Sequence, residues 1–257
     1  MPHFIAGFHG VRGSLAQRRI EIQEIWIAER KKSARAMEIL QLAREQGIPV
    51  RFKEREELSR SLPGVAHQGI VALSKGFAYA ELDQIIDLCS HSQGRALVIA
   101  ADHITDEGNL GALIRVAAFF GAHGLVIPKD RSASVSSKVL KRSSGAYVHL
   151  PIARVVNLGR ALDLLAGKGL WIIGTAGESS SSVYHFDWNR DLVLVLGNEE
   201  RGMAKTVRER CHEVIGIPAA GNVDSLNVAV AAGVILSEIV RRRNLSAGSN
   251  KEKHELK

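Results

Sequence analysis

Residues 105–128, TDEGNLGALIRVAAFFGAHGLVIP, set a single cation within an otherwise apolar helical run. Asn109 stands where a helix N-cap is expected, and Arg115 follows among Leu, Ile, Val, Ala and Phe. A buried charge without a partner is costly, so Arg115 needs one. On the residues alone two readings stay open: an ion pair with Asp102 or Asp106, or a guanidinium aimed into a cleft. The stretch LGNEERGM, 196–203, ends a strand at Gly197 and places Glu199 and Glu200 ahead of Arg201. By itself it would also suit a solvated loop of mixed charge. IPAAGNVDSLNVAVA, 217–231, puts Gly221 in a turn and Ser225 and Asn227 at a helix start. Beyond that start, 228–236 carries no polar side chain. Apolar on every side, such a helix must be covered on every side.

These stretches need elements to hold them. ALVIA (96–100), GLVIP (124–128), LWIIG (170–174), LVLVLG (192–197) and EVIGIP (213–218) are apolar runs bounded by Gly, Pro or charge, as buried parallel strands should be. Helical candidates lie between or after them at 109–120, 134–143, 157–167, 203–210 and 225–242. The alternation predicts an α/β domain over 95–245 with a mainly parallel sheet. Ligands of such sheets sit beyond the carboxyl ends of the strands, where DHITDEGNLGALIR, GTAGESSSS, GNEERGM and IPAAGNVDSLN all fall. Polar, glycine-rich corners on one edge point to one binding site.

The first 75 residues read as a separate small domain. IEIQEIWI (20–27) suits a strand with one irregularity, and 33–46 a helix with Ala36, Ile39, Leu40 and Ala43 on one face, ended by Gly47. IPVRF (48–52) and GIVAL (69–73) complete a β-α-β-β unit. Residues 76–94 read as a linker with one short helix at 81–89, and 246–257 as a disordered tail.

Composition narrows the function classes. The chain has 257 residues, 46% hydrophobic and 24% charged, with a net charge of +7 and a pI near 9.6, which favours an acidic partner such as nucleic acid. Cys89 and Cys211 are isolated, so neither a zinc site nor a disulfide framework is supported, and no metal is expected. MPHFIAGFHG lacks the apolar core of a signal peptide and no run reaches membrane-spanning length, so a cytoplasmic protein is expected. GxGxxG after a strand, a Walker A lysine, GxSxG and HExxH are all missing.

Taken in order, NLGALIRVAAFFG (109–121), LGNEERGM (196–203) and IPAAGNVDSLNVAVAAG (217–233) resemble motifs 1, 2 and 3 of the SpoU/TrmH family of RNA 2′-O-ribose methyltransferases, of the SPOUT class. GFHGVRGSL (7–15) and AHQGIVAL (66–73) are similar to the substrate-binding domain of the bacterial subgroup that methylates a guanosine of 23S ribosomal RNA, a domain like ribosomal protein L30e in fold. The resemblance spans about residues 4–243. It departs at Glu107, where the family usually has Pro, and at Asn222 and Asp224, where the closest subgroup often has Ser. The first change is expected to loosen a turn, the second to alter contacts with the target loop.

The resemblance implies a C-terminus threaded through a deep trefoil knot, a rare exception to unthreaded topology. It implies S-adenosylmethionine held in the knot cleft largely by backbone groups at Thr175, Gly197, Ile217 and Leu226, with glycine at 197 allowing close approach. Methyl transfer to a ribose 2′-hydroxyl is a displacement at a sulfonium methyl, so the protein must align the oxygen and help it lose a proton. Arg115 resembles the family's catalytic arginine. Because guanidinium stays protonated, stabilising the developing alkoxide or a neighbouring phosphate suits it better than proton uptake. Asn109, Glu199, Ser225 and Asn227 are the other implied catalytic residues, Glu199 positioning Arg115, Asn109 or substrate. Family members are dimers, with 109–120 and the last helix as the contact. His67 and ERKKSAR (29–35) are candidates for RNA contact, and aromatics are too few, at 5%, to indicate a stacking platform. The nearest rival function is a transfer RNA 2′-O-methyltransferase, against which the extra N-terminal domain argues. A catalytically silent RNA-binding or ribosome-assembly protein is a rival of another class, against which Asn109, Arg115, Glu199 and Asn227 argue.

Overall fold

The computed structural model describes residues 3–17, 20–29, 33–92, 95–222 and 225–255. The chain divides into two compact units, residues 1–79 with 135–148, and residues 80–134 with 149–257.

In unit 1 the strands β1 (His3–Ala6), β2 (Ile22–Ala28), β3 (Val50–Lys53) and β4 (Ile70–Ser74) form a sheet of order β1-β4-β2-β3. β4 runs antiparallel to both neighbours and β2–β3 is parallel. The irregularity expected in the second strand is a register shift between Ile22 and Glu24. α2 (Ala34–Glu45) is N-capped by Ser33, whose Oγ accepts from Ala36 N at 3.2 Å, and Gly47 turns the chain after it at φ +66°. Three more elements escape the sequence pattern: β1, α1 (Phe8–Gln17) and α3 (Arg55–Ser61). Gly10 and Gly13 disguise α1 as a loop, yet both lie inside it. A Cβ on Gly13 would sit 2.9 Å from a Val148 methyl, so close packing selects glycine in this helix.

Val148 belongs to unit 1 because the segment 135–148 returns to it. That segment holds α6 (Ser137–Arg142), which packs on β1, and a 3-10 turn at Ala146–Val148. The sequence reading kept 134–143 in the second domain. Tyr147 explains the return: it is 1% exposed, within 3.1 Å of Ser14 Oγ, and edge-on to Phe77.

Unit 2 is a seven-stranded parallel sheet of order β7-β6-β5-β10-β8-β11-β9, a mixed α/β architecture. Its strands are β5 (Leu97–Ala101), β6 (Gly124–Pro128), β7 (Ile152–Val155), β8 (Trp171–Thr175), β9 (Ser181–Ser182), β10 (Leu192–Leu196) and β11 (Glu213–Gly216). β5, β6 and β10 are buried along their whole length, which is why they read as unbroken apolar runs. Short β7 and β9 lie at the sheet's edges, where Arg154 interrupts the apolar run of β7 and β9 is two serines.

One sheet face is covered by α4 (Leu82–Ser90), α7 (Leu158–Gly167) and α8 (Lys205–Arg208), whose Ile85, Leu162 and Val207 share a core with Val98, Val126 and Val193. The segment read as a linker is therefore partly structural core, since Ile85 and Cys89 of α4 are buried in it. Elsewhere in the unit, α5 (Glu107–Phe119) packs against α9 (Val228–Glu255). Helix α9 buries Ala232, Ile235, Leu236 and Ile239 but leaves Val230 52% exposed, so the apolar helix is not covered on all sides by its own chain. Its backbone continues to Glu255, past the expected end of the domain at 245.

Candidate active site

Strand order changes direction between β5 and β10, and the carboxyl ends of β10, β8 and β11 open beside that switch onto a cleft of about 570 Å³. Thr175, Gly197, Glu199, Ile217, Ser225 and Leu226 all line it, together with Gly177, Pro218 and the α9 side chains Val228, Ala231 and Ile235. The walls are mostly apolar with a few polar groups at one end, the composition of a small-molecule site. Thr175 faces inward as part of the sheet, its Oγ1 donating to Val195 O at 3.0 Å.

The loop after β10 closes on itself. Asn198 N donates to Gly202 O at 3.0 Å and Gly202 N to Asn198 O at 2.8 Å, while Asn198 Oδ1 accepts from Glu200 N and Arg201 N. Asn198 Nδ2 then reaches His103 O at 2.9 Å, and Asp102, fully buried, accepts from Ala204 N at 2.6 Å and pairs with His103 Nδ1. These bonds staple the loop to the end of β5. Sequence reasoning missed Asn198, Asp102 and His103 as a unit; the one local signal was an amide between Gly197 and Glu199. A Cβ on Gly197 would overlap the Gly202 carbonyl carbon and sit 2.5 Å from Met203 N. Glycine at 197 is thus required by the loop's own backbone, a reason different from the close approach of a bound molecule.

Glu199 is the centre of the polar end. Its Oε1 accepts from Asn109 Nδ2 at 2.7 Å, from Asn227 Nδ2 at 2.9 Å and from Val228 N at 3.2 Å. Asn227 Nδ2 also donates to Asn109 Oδ1 at 2.8 Å, closing a ring of three side chains from three distant stretches of sequence. Asn109 can join this ring because it does not cap its helix. Asp106 does so, accepting from Asn109 N at 2.7 Å, which puts Asn109 one turn in with its amide free to point at the cleft's rim. Glu107 occupies the first helical position, where Pro is favoured and where an acid suits the helix dipole, so the expected loosening of this turn is not seen. Asn227 caps α9 through Oδ1, which accepts from Ala229 N at 3.0 Å and Val230 N at 3.4 Å. The Glu199 carboxylate lies against the same helix start, where negative charge is stabilised.

Arg115 is exposed on α5 and is not among the residues lining the cleft. The premise of a buried cation is corrected. Asn222 is exposed, and Asp224 lies outside the described residues. No group of His, Cys, Asp or Glu that could hold a metal ion occurs among the described residues. Nor is any helix among them long and apolar enough to cross a membrane.

In unit 1, His67 is not available for RNA contact as expected. It is 5% exposed, with Nδ1 accepting from Gly69 N and Nε2 beside Ser59 Oγ. Of the basic segment 29–35, residues 30–32 lie outside the described residues, and Arg35 stacks over Phe8.

Two family models match the chain. Residues 96–237 match the SpoU rRNA Methylase family, and residues 4–80 match RNA 2′-O ribose methyltransferase substrate binding. Among curated relatives, the chain is 39% identical over 240 residues to the 23S rRNA (guanosine-2′-O-)-methyltransferase RlmB of Pseudomonas aeruginosa, covering 93% of this chain and 96% of that one. It is 38% identical to the protein of the same name from Escherichia coli K12, covering 95% of this chain and all of the other. Among solved structures, the SpoU methyltransferase AviRb of Streptomyces viridochromogenes in complex with the cofactor AdoMet superposes with a TM-score of 0.80 at 27% identity, over 94% of this chain and 90% of that one.

Proposed function

Because the chain belongs to the SpoU rRNA methylase family, we propose that it transfers a methyl group from S-adenosylmethionine to a ribose 2′-hydroxyl of ribosomal RNA, with a guanosine of 23S rRNA as the target. The observation that carries this reading is the ring of Asn109, Glu199 and Asn227 at the rim of the cleft beyond β10, β8 and β11.

The cleft suits the cofactor in size and lining: Ile217, Pro218, Leu226 and Ile235 offer an apolar bed, and the backbone at Thr175, Gly197, Ile217 and Leu226 offers hydrogen-bonding groups. When bound there, the cofactor supplies the electrophilic methyl carbon. The protein's task is to bring the ribose oxygen to that carbon and to stabilise the charge it develops. Glu199, bound by three donors, anchors the amides of Asn109 and Asn227 so that the rim keeps one geometry. The Arg115 guanidinium is assigned to the developing alkoxide or the adjacent phosphate. Ser225, on the cleft wall, is assigned to the substrate side of the loop before α9.

The working form in this reading is a cytoplasmic homodimer. Phe119 at the end of α5 is 81% exposed, Val230 on α9 52% and Leu226 beside it 48%, an apolar surface that suits a second copy of the chain. The C-terminal segment is read as the threaded tail of a trefoil knot. In support, α9 starts at the cleft, and Arg243 just past its midpoint binds carbonyls just before β5 and β10.

The test is transfer from tritiated cofactor to deproteinised 23S rRNA, read as alkali-resistant dinucleotides. The wild type is expected to label one guanosine. Arg115→Ala is expected to abolish labelling while cofactor affinity by calorimetry stays within about threefold. Wild-type binding of the cofactor without labelling of ribosomal RNA would overturn the reading.

A further inference from the structure

The loop 64–69 of unit 1 is held in an uncommon way. Beneath it, His67 is buried, with Nδ1 accepting from Gly69 N at 3.1 Å and Nε2 lying 3.0 Å from Ser59 Oγ on α3. The imidazole is a strut between the loop and that helix. The next residue, Gln68, is exposed and takes φ of +49°, a left-handed backbone that residues other than glycine seldom adopt. Being exposed, Gln68 gains little from packing to offset that conformation. Strain of this kind persists where the surroundings enforce it, and it clusters at ligand-binding positions.

A second element reaches the same loop. Lys141 Nζ donates to Gly64 O at 2.9 Å from α6, the helix that returns to unit 1 and packs on β1. The carbonyl takes one of its N–H donors and leaves its charge in place. Lys138 and Arg142 are also exposed on α6, while Val139 and Leu140 are buried beneath. Residues 135–148 carry three cations and no carboxylate. The loop 61–69 carries no Asp, Glu, Lys or Arg. On neighbouring α3, Glu57 is already paired with Lys53.

We propose that the loop 64–69 and α6 form an RNA-binding face of unit 1, in which Gln68 reads the edge of an unpaired base and Lys138, Lys141 and Arg142 take the flanking phosphates. It rests on the reading of the chain as an RNA methyltransferase, and it moves the recognition role from His67, the strut, to the side chain the strut presents. A carboxamide offers a donor and an acceptor side by side, which matches the edge of a splayed-out base, whereas a paired duplex hides those edges. Ammonium and guanidinium groups supply affinity that is blind to sequence and sensitive to salt.

The experiment uses the full chain, with deproteinised 23S rRNA and a fully paired RNA duplex of about 20 base pairs as probes. Binding is measured by filter retention at several salt concentrations. Gln68→Gly, which fits the left-handed backbone, is expected to weaken 23S rRNA binding roughly tenfold, leave duplex binding unchanged, and hold or raise the melting temperature. Lys138→Gln/Arg142→Gln is expected to weaken both probes alike and to make the slope of log affinity against log salt shallower by roughly one to two. Wild-type affinity and slope in both variants would overturn the proposed face. Methyl transfer by the wild type is followed in parallel: binding without transfer would count against the enzyme reading and leave the face standing, and transfer with unaltered binding by the variants would do the reverse.

Discussion

Asn227 Nδ2 donates to Glu199 Oε1 at 2.9 Å, and this bond joins the loop after β10 to the first turn of α9. Since Asn109 Nδ2 donates to the same oxygen at 2.7 Å, one carboxylate holds together three segments that follow three different strands. Replacing Glu199 by Gln keeps an acceptor but removes the charge on which the donors converge. Hydrogen bonds to charged groups contribute about 1.5–3 kcal/mol, so Glu199→Gln should slow single-turnover methyl transfer about 10- to 100-fold. An unchanged single-turnover rate would place the ring outside the reaction.

Gly197→Ala distinguishes two roles for that glycine. Its Cβ would press on Gly202 and Met203 backbone, so the self-closed loop must open. Overpacking of this kind costs about 1–3 kcal/mol, and the cofactor site should weaken with the loop. Chemical denaturation reads the first effect and calorimetry the second. A variant of wild-type stability that failed only in cofactor binding would return Gly197 to the role of making room for the ligand.

The middle of α9 is fixed by a guanidinium. Arg243, 7% exposed, donates to the carbonyls of Trp188, Arg95, Ala96 and Arg190, and its burial lowers its pKa. Methionine would fill the space but leave buried carbonyls without donors. Arg243→Met should lower unfolding stability by about 3 kcal/mol, with Arg243→Lys recovering only part, since an ammonium cannot reproduce the planar fork. Urea titration checks both, and a midpoint unchanged in the methionine variant would refute the clip.

One turn earlier, Glu238 is 8% exposed and lies between Arg241 and Arg242; the hydrogen bond from Arg241 is the largest cause of its carboxyl falling to about 2. A carboxyl whose folded value is depressed adds stability that is complete above its unfolded value near 4.5 and is lost as the pH falls towards about 2. The two arginines are well exposed, so solvent screening holds the contribution to about 0.5–1 kcal/mol. Between pH 6 and pH 3 the wild type should lose more stability than Glu238→Gln by roughly that amount. Parallel losses in the two proteins would show that this cluster does not titrate as described.

The parts of the fold legible in the sequence were those where burial dictates residue type. β5, β6 and β10 read correctly because a parallel strand buried along its whole length has little choice but apolar side chains. α1 did not, because Gly13 answers to Val148, a residue 135 positions away, and no local pattern records that. α6 was recognised as a helix yet assigned to the wrong unit, since the burial of Tyr147 beside Ser14 decides where the segment docks.

The residues of the candidate site divide along the same line. Order and spacing marked only the polar stretches just beyond buried strands and at helix starts as the ligand edge of such a sheet, and the resemblance to the SpoU/TrmH motifs singled out Asn109, Glu199 and Asn227 within them. Only the tertiary structure decided that Asp106 rather than Asn109 caps α5, that Gly197 makes room for its own loop, and that His67 is a strut. The physical reason is one of range. Helix caps and strand burial are settled by neighbours in sequence or by solvent. Which of several polar groups a carboxylate binds, and which side chain is left facing outward, is settled by contacts between segments about a hundred residues apart.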